Sequence, residues 1–370
     1  MFRVSGLKRR FLWGWLCASS FLLFLVVSGC VISPRRLPGD IVPGATPTPT
    51  PGPSATPTPT PGATPQGKLY VSNSGINAIL RFDQALTASG NAPPAVTISG
   101  TNTKLNAPEY IFLDTTADRL YVANNGDISI LIFDNISTKT GNVAPERVIA
   151  GASTTLVSPN DVAVDKVRNL LYVADDIDIH VFSSASTATG NIAPARTYSP
   201  GFAVSAIFID GTNDRLYAAD QVGQAIAVFD NASTLAAGPI TPTRTIQGAS
   251  THLGAPSGVQ VDGGGRLIVS NGSAHSITIY NGAATATGDI APAKEIVGTI
   301  TGLNAPNQIV VDTTGAGTLY IADPGAAKIP IYGSLTTATG NIAPTRSISG
   351  AATTLTVGGQ PVGVALDPSR

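Results

Sequence analysis

The chain has 370 residues, 43% of them hydrophobic and 12% charged, with 22 basic residues against 23 acidic. That is enough apolar material for a large folded core. The near balance of charge excludes a strongly basic nucleic-acid-binding surface, which needs clustered Lys and Arg.

Residues 1–10 carry Arg3, Lys8, Arg9 and Arg10 and no acid, and FLWGWLCASSFLLFLVVSG (11–29) is an apolar run. This pattern reads as a leader, residues 1–29, to be set aside before the fold is considered. Its removal leaves 18 basic residues against 23 acidic, a net charge of −5, and Cys30 as the one cysteine. The mature chain then forms no intramolecular disulfide. The run ends in VSGC (27–30), an aliphatic residue, two small residues and a cysteine, which resembles a bacterial lipobox. The resemblance implies a signal peptide, acylation of Cys30 and a membrane partner held through that lipid. Several acyl chains, at ~0.8 kcal/mol per buried methylene, make a stable anchor. Val31 rather than Asp follows, which by the same resemblance points to the outer membrane or cell surface. An uncleaved transmembrane helix and an ordinary secretory signal are the alternatives.

Residues 30–67 hold PGATPTPTPGPSATPTPTPGATP (43–65), where Pro and Thr alternate and alanine is the largest apolar side chain apart from proline. Such a stretch buries no core, so a disordered, extended linker is expected. At ~3.1 Å per residue it would hold the next domain up to ~100 Å from its anchor.

From Lys68 to Arg370 the chain repeats itself. KLYVSN (68–73), RLYVAN (119–124), LLYVAD (170–175), RLYAAD (215–220), RLIVSN (266–271) and TLYIAD (318–323) align. A strand such as YIFLD (110–114) or DVAVD (161–165) precedes each copy after the first. A third strand such as SILIFD (129–134) follows each, and a fourth lies beyond a polar loop. Four short strands every ~50 residues predict an all-β six-bladed β-propeller. The first repeat lacks its leading strand, and GVALD (363–367) supplies it at the other end of the sequence. The ring is therefore expected to close by pairing the C-terminal strand with the first blade, removing two exposed edges. These motifs resemble NHL-type repeats, and LYVAN is similar to the YVTN-type repeat. The resemblance implies the propeller fold and a family that includes binding scaffolds, sensors, lactonases and lyases.

The polar loop recurs as STKTGNVAPER (137–147), STATGNIAPAR (186–196), ATATGDIAPAK (284–294) and TTATGNIAPTR (336–346), with looser copies at 86–95 and 233–244. Its glycine suits positive φ, and its Asn or Asp is expected to bond its own backbone. Pro94, Pro145, Pro194, Pro242, Pro292 and Pro344 are expected to start the outermost strand.

Chemistry is sought on the face where loops enter the innermost strands, the usual ligand face of related propellers. Asn73, Asn124, Asp175, Asp220, Asn271 and Asp323 end the second strands there and are read as caps of their own turns. Glu109, Asn160, Asp161, Ser257, Asn307 and Gln308 start the innermost strands near the axis. Oxygen ligands converging from several blades would suit Ca²⁺, much as gluconolactonase-like propellers hold their metal. No other cofactor is implied. Asp114, Asp165, Asp210, Asp262, Asp312 and Asp367, on the opposite face, read as turn initiators. His180, His252 and His275 fall in no metal-binding spacing, and no nucleophile motif is present. The aromatics at Tyr70, Tyr121, Tyr172, Tyr217 and Tyr320 repeat with the blades and are expected to pack between them. The third repeat is six residues shorter around SPGFAVSAI (199–207), a place where the ring could open to a partner. The expected role is a monomeric, envelope-anchored, non-catalytic propeller that binds a protein, glycan or small molecule. A Ca²⁺-dependent lactonase or hydrolase and a structural envelope protein are the alternatives.

Overall fold

The computed structural model describes residues 66–313, 317–355 and 360–370. The leader, Cys30 and the spacer up to residue 65 lie outside the described residues. Six sheets form, each built on four antiparallel strands. In blades 2 to 6 these run in chain order from the inside outwards, and the sheet of blade 3 gains Gly238–Pro239 as a fifth, parallel strand at its outer edge. Blade 2 shows the pattern: Pro108–Asp114, Arg119–Asn124, Ser129–Asp134 and Arg147–Ala150. The innermost strands of blades 3 to 6 are Pro159–Asp165, Val204–Asp210, Pro256–Val261 and Ile309–Asp312. Both faces of each blade are covered by a neighbour, so the middle strands are apolar throughout instead of alternating. Leu120, Tyr121, Val122 and Ala123, for example, are all buried.

Blade 1 is built as expected from both ends of the repeat region. Pro361–Asp367 pairs with Lys68–Asn73, with Leu366 opposite Leu69 and Val364 opposite Val71. The core is divided into six apolar clusters, each lying mainly between two adjacent blades. One joins Leu69, Val71, Val364 and Leu366 of blade 1 to Tyr320 and Ile331 of blade 6, so the seam of the ring is packed like any other interface. The repeated tyrosines are buried at these interfaces as expected. Tyr121 donates its hydroxyl to Ala185 O and Tyr320 to Ala85 O, each in the following blade.

The recurring polar loop fastens blades to each other. Gly90, Gly141, Gly190, Gly288 and Gly340 each form a parallel bridge to the outermost strand of the preceding blade, and Gly238 does the same against Tyr198. Gly90 thereby clips blade 1 to blade 6, through Gly90 N–H to Ser347 O at 2.6 Å and Ser349 N–H to Gly90 O at 3.0 Å. The Asx that follows five of these glycines reaches the preceding blade instead of bonding its own backbone, which corrects the reading of the loop as a self-bonded turn. Asn142, Asn191, Asp289, Asn341 and Asn91 accept N–H groups of Asn102, Ser153, Ser250, Ile300 and Ala352 in the preceding connection. The loop prolines stand two residues ahead of the outermost strands, not at their first residue.

The donating connection needs glycine where the Asx side chain arrives. Gly248 has φ +135°, and a Cβ there would stand 2.4 Å from the Asp289 carboxylate. Gly248→Ala is therefore expected to cost roughly 2–4 kcal/mol, from backbone strain plus a lost hydrogen bond. Gly263→Ala, with open space around it, is the neutral control. Equal urea midpoints for the two variants would show that this clip carries no stability.

Candidate functional site

Five of the six innermost strands begin two residues earlier than their hydrophobic pattern suggests, and the extra length contains a β-bulge, whereas that of blade 6 begins at Ile309. Register shifts occur between Pro108 and Ile111, Pro159 and Asp161, Val204 and Ala206, Pro256 and Gly258, and Pro361 and Gly363. A bulge turns a side chain away from the regular pleat. Here it brings Glu109, Asn160, Ser205 and Ser257 to one cleft, joined by Asn307 of blade 6. The cleft has a volume of about 280 Å³ and is also lined by Asp176 and Gln221. Thus Glu109, Asn160, Ser257 and Asn307 converge as the sequence predicted. Ser205 was missed, because Val204 replaces the proline that marks the position in its neighbours.

Asp161 and Gln308 do not belong to that cleft. Asp161 follows its bulge residue, so the pleat sends it the other way, and Gln308 stands just ahead of the innermost strand of blade 6. Gln308 accepts the N–H groups of Ile111 and Val364 and donates to Ile111 O, tying blade 6 to blades 2 and 1. Asp161 accepts Val162 N–H at 2.7 Å and Ile207 N–H at 2.8 Å. Tyr110 spans from blade 2 to blade 5 and donates its hydroxyl to Ser257 O at 2.5 Å. These side chains satisfy backbone groups on the free inner edges of the blades, which have no further strand to pair with. Gly363 leaves room for Gln308. A Cβ on Gly363 would stand 2.8 Å from Gln308 Oε1. Tyr110 lines both the mouth cleft and a second cavity beneath it.

The polar ends of the second strands form no open ring. Asn73, Asn124, Asp175, Asn271 and Asp323 are almost fully buried. They hold the loop that enters their own blade, accepting N–H groups from Gln360, Asn106, Val157, Gly254 and Asn304. This corrects their reading as caps of their own turns. Asp220 alone of the six caps only its own turn, through Gly223 N–H. The reason lies in the shortened third connection. Five connections carry a tight turn whose threonine donates to a glycine carbonyl three residues back, at Thr103, Thr154, Thr251, Thr301 and Thr353. The connection from blade 3 to blade 4 has none, and Ala203, Val204 and Ser205 border the cleft there.

The opposite-face aspartates behave as turn initiators. Asp114, Asp165, Asp210, Asp262 and Asp367 accept N–H groups two to four residues on. The three histidines do not converge. His180 is buried against Asp175, His252 meets Glu295, and His275 accepts Ala305 N–H. Among the described residues no cluster of three or more His, Cys, Asp or Glu side chains forms.

The mouth residues differ in how far they are committed. Ser205 donates to Pro256 O and Ser257 to Pro306 O, so both hydroxyls are spent on the next blade. Asn160 accepts from Asn125 at 3.3 Å. The Glu109 carboxyl has no hydrogen-bonding or ionic partner among the described residues, and burial pushes it up from 4.5 to about 6. Between those values the folded chain keeps a proton that the unfolded chain has released. Its contribution to stability therefore falls as pH rises through that window, by about 2 kcal/mol in all. Glu109→Gln is expected to raise the urea midpoint at pH 7.5 and to leave it unchanged at pH 4. A variant equally or less stable at pH 7.5 would refute the strained carboxylate.

No protein-family model and no curated protein matches the sequence. Solved structures do share the fold. A chain from the crystal structure of a nidogen/laminin complex superposes with a TM-score of 0.56 at 15% identity, covering 81% of this chain and 98% of that one. A functionally unknown protein from Desulfotomaculum acetoxidans gives 0.48 at 15% identity, over 76% of this chain and 79% of its own. At such identity the likeness is one of architecture: the chain is a closed, six-bladed, all-β propeller.

Proposed function

We propose that this protein is an envelope-anchored, non-catalytic binding propeller of the NHL/YVTN type, which takes its ligand in the cleft at the channel mouth. The observation that carries the reading is the convergence of Glu109, Asn160 and Asn307 from three blades on one cleft beside the shortened third connection. The VSGC motif and the Thr/Pro-rich spacer support anchoring through Cys30, with the linker (30–67) presenting the propeller (68–370) away from the membrane. The cleft offers amides and a carboxylate, groups that orient a polar ligand by hydrogen bonds. It is wide enough for one sugar unit or one polar side chain of a partner protein.

A second reading, a Ca²⁺-dependent site, is favoured by the unpartnered Glu109 carboxyl. Its burial cost would be offset by a cation, and the amide oxygens of Asn160 and Asn307 suit the same ion. Those three residues would hold the metal, which would polarise a bound carbonyl in a hydrolase. One experiment addresses both readings. The protein is melted with monosaccharides, with CaCl₂ and with EDTA, beside the Asn160→Ala/Asn307→Ala variant. A ligand at a hundred times its Kd adds ~2.7 kcal/mol, which is several degrees for a domain of this size. A sugar shift lost in the variant supports the binding propeller, and a Ca²⁺ shift lost in Glu109→Gln supports the metal site. Shifts that survive both variants would remove the mouth cleft from either role.

A further inference from the structure

Below Tyr110 the channel continues as a separate cavity of about 190 Å³, walled by all six innermost strands. Its lining is largely apolar and includes Phe112, Phe208, Val259 and Val310. One carboxyl stands in that wall: Asp161, with 2% of its surface exposed. Its two oxygens accept the backbone N–H groups of Val162 and Ile207, an arrangement that suits a carboxylate. Among the described residues no Lys, Arg or His lines the cavity, and no cation pairs with Asp161. A buried carboxylate without a counter-charge is costly, and the backbone duty it performs could be met by a neutral amide, as Gln308 and Gln260 do nearby.

We propose that this lower cavity binds a small organic ammonium ion, its charge on Asp161 and its apolar body among the side chains of the innermost strands. The size fits, since a cavity of about 150 Å³ holds a benzene ring. The aromatic lining adds attraction for a cation. The site is distinct from the mouth cleft, and the inference does not depend on the function proposed for that cleft.

Asp161 is the one carboxyl in that wall, so the cavity should distinguish a cation from a neutral molecule of the same shape. Glu109 lines the other cavity. Asp175, on the strand paired with that of Asp161, is turned to the entering loop and His180.

The test is isothermal calorimetry on the full chain with benzylamine and, as the neutral isostere, benzyl alcohol. Benzylamine is expected to bind more tightly than benzyl alcohol, by roughly tenfold or more. Asp161→Asn should reduce benzylamine to the affinity of the alcohol. If that variant does not fold, the comparison of amine with alcohol on the wild-type chain still decides the matter. Equal affinity for amine and alcohol, or no binding at millimolar amine, would overturn the proposal.

Discussion

A chain ending at residue 360 is expected to lose cooperative unfolding altogether. The strand it lacks, Pro361–Asp367, is buried along its whole length. Val362, Val364 and Leu366 alone, at about 1.5–3 kcal/mol each, remove roughly 5–9 kcal/mol of apolar burial. A domain's entire net stability is ordinarily about 5–15 kcal/mol. The loss would also strip Gln308 Oε1 of Val364 N–H and Ser72 Oγ of Gly363 N–H. The other clasp across the same seam cannot compensate. Its hydrogen bonds include Gly90 with Ser347 and Ser349, Ala352 N–H to Asn91, and Tyr320 and Arg346 to carbonyls of Ala85 and Ala88. They are worth about 1 kcal/mol each and are already made in the intact chain, so they add nothing when the strand is lost. Urea unfolding followed by circular dichroism should show a broad, shallow transition in the truncated chain, and size exclusion should show association through the freed edge of Lys68–Asn73. A synthetic 361–370 peptide should restore a sharp transition when added in excess. A truncated chain with the parent's midpoint and slope would mean that strand return does not hold the ring together.

The blades were legible because their information is local and repeated. Apolar runs at a spacing near 50, and a missing strand returned at the far end, place every sheet before any contact is known. The rim clips were not legible in the same way. Glycine and Asx were recognised at the loop, but their partners lie about 40 residues back in another blade. Nothing in the loop's own composition distinguishes a self-bonded turn from one that reaches its neighbour. In the candidate site, Asn160 and Asp161, or Asn307 and Gln308, were grouped because they are adjacent. In a strand adjacent side chains face opposite ways, so period two already contained the division between the mouth cleft and the side chains that bridge the inner edges. What sequence could not show was the bulge, a single extra residue with no fixed signature beyond the proline before Glu109, Asn160 and Ser257.

Asp175→Ala is expected to be the most damaging single substitution away from the seam. Asp175 and His180 are both almost fully buried in blade 3. The carboxylate accepts Val157 N–H at 2.8 Å, Ser158 N–H at 2.5 Å and His180 Nε2 at 3.0 Å, while His180 Nδ1 lies 3.0 Å from Thr197 Oγ1. Alanine would strand two backbone donors and an imidazole in a dry interior, at about 3–5 kcal/mol, or a fall of about 5–8 °C in Tm. Blade 5 shows a neutral solution at the equivalent positions. There Asn271 accepts Gly254 N–H and donates to Thr278 Oγ1 at 3.1 Å. Asn271 and Thr278 stand in the same register as Asp175 and His180, each two places removed across the strand pair. Asp175→Asn with His180→Thr would transplant that pair into blade 3. The double variant should recover most of the stability lost by Asp175→Ala, and a thermodynamic cycle through the two single variants should show coupling of 1 kcal/mol or more. Additive effects would mean that Asp175 acts on the entering loop alone and that His180 is a bystander.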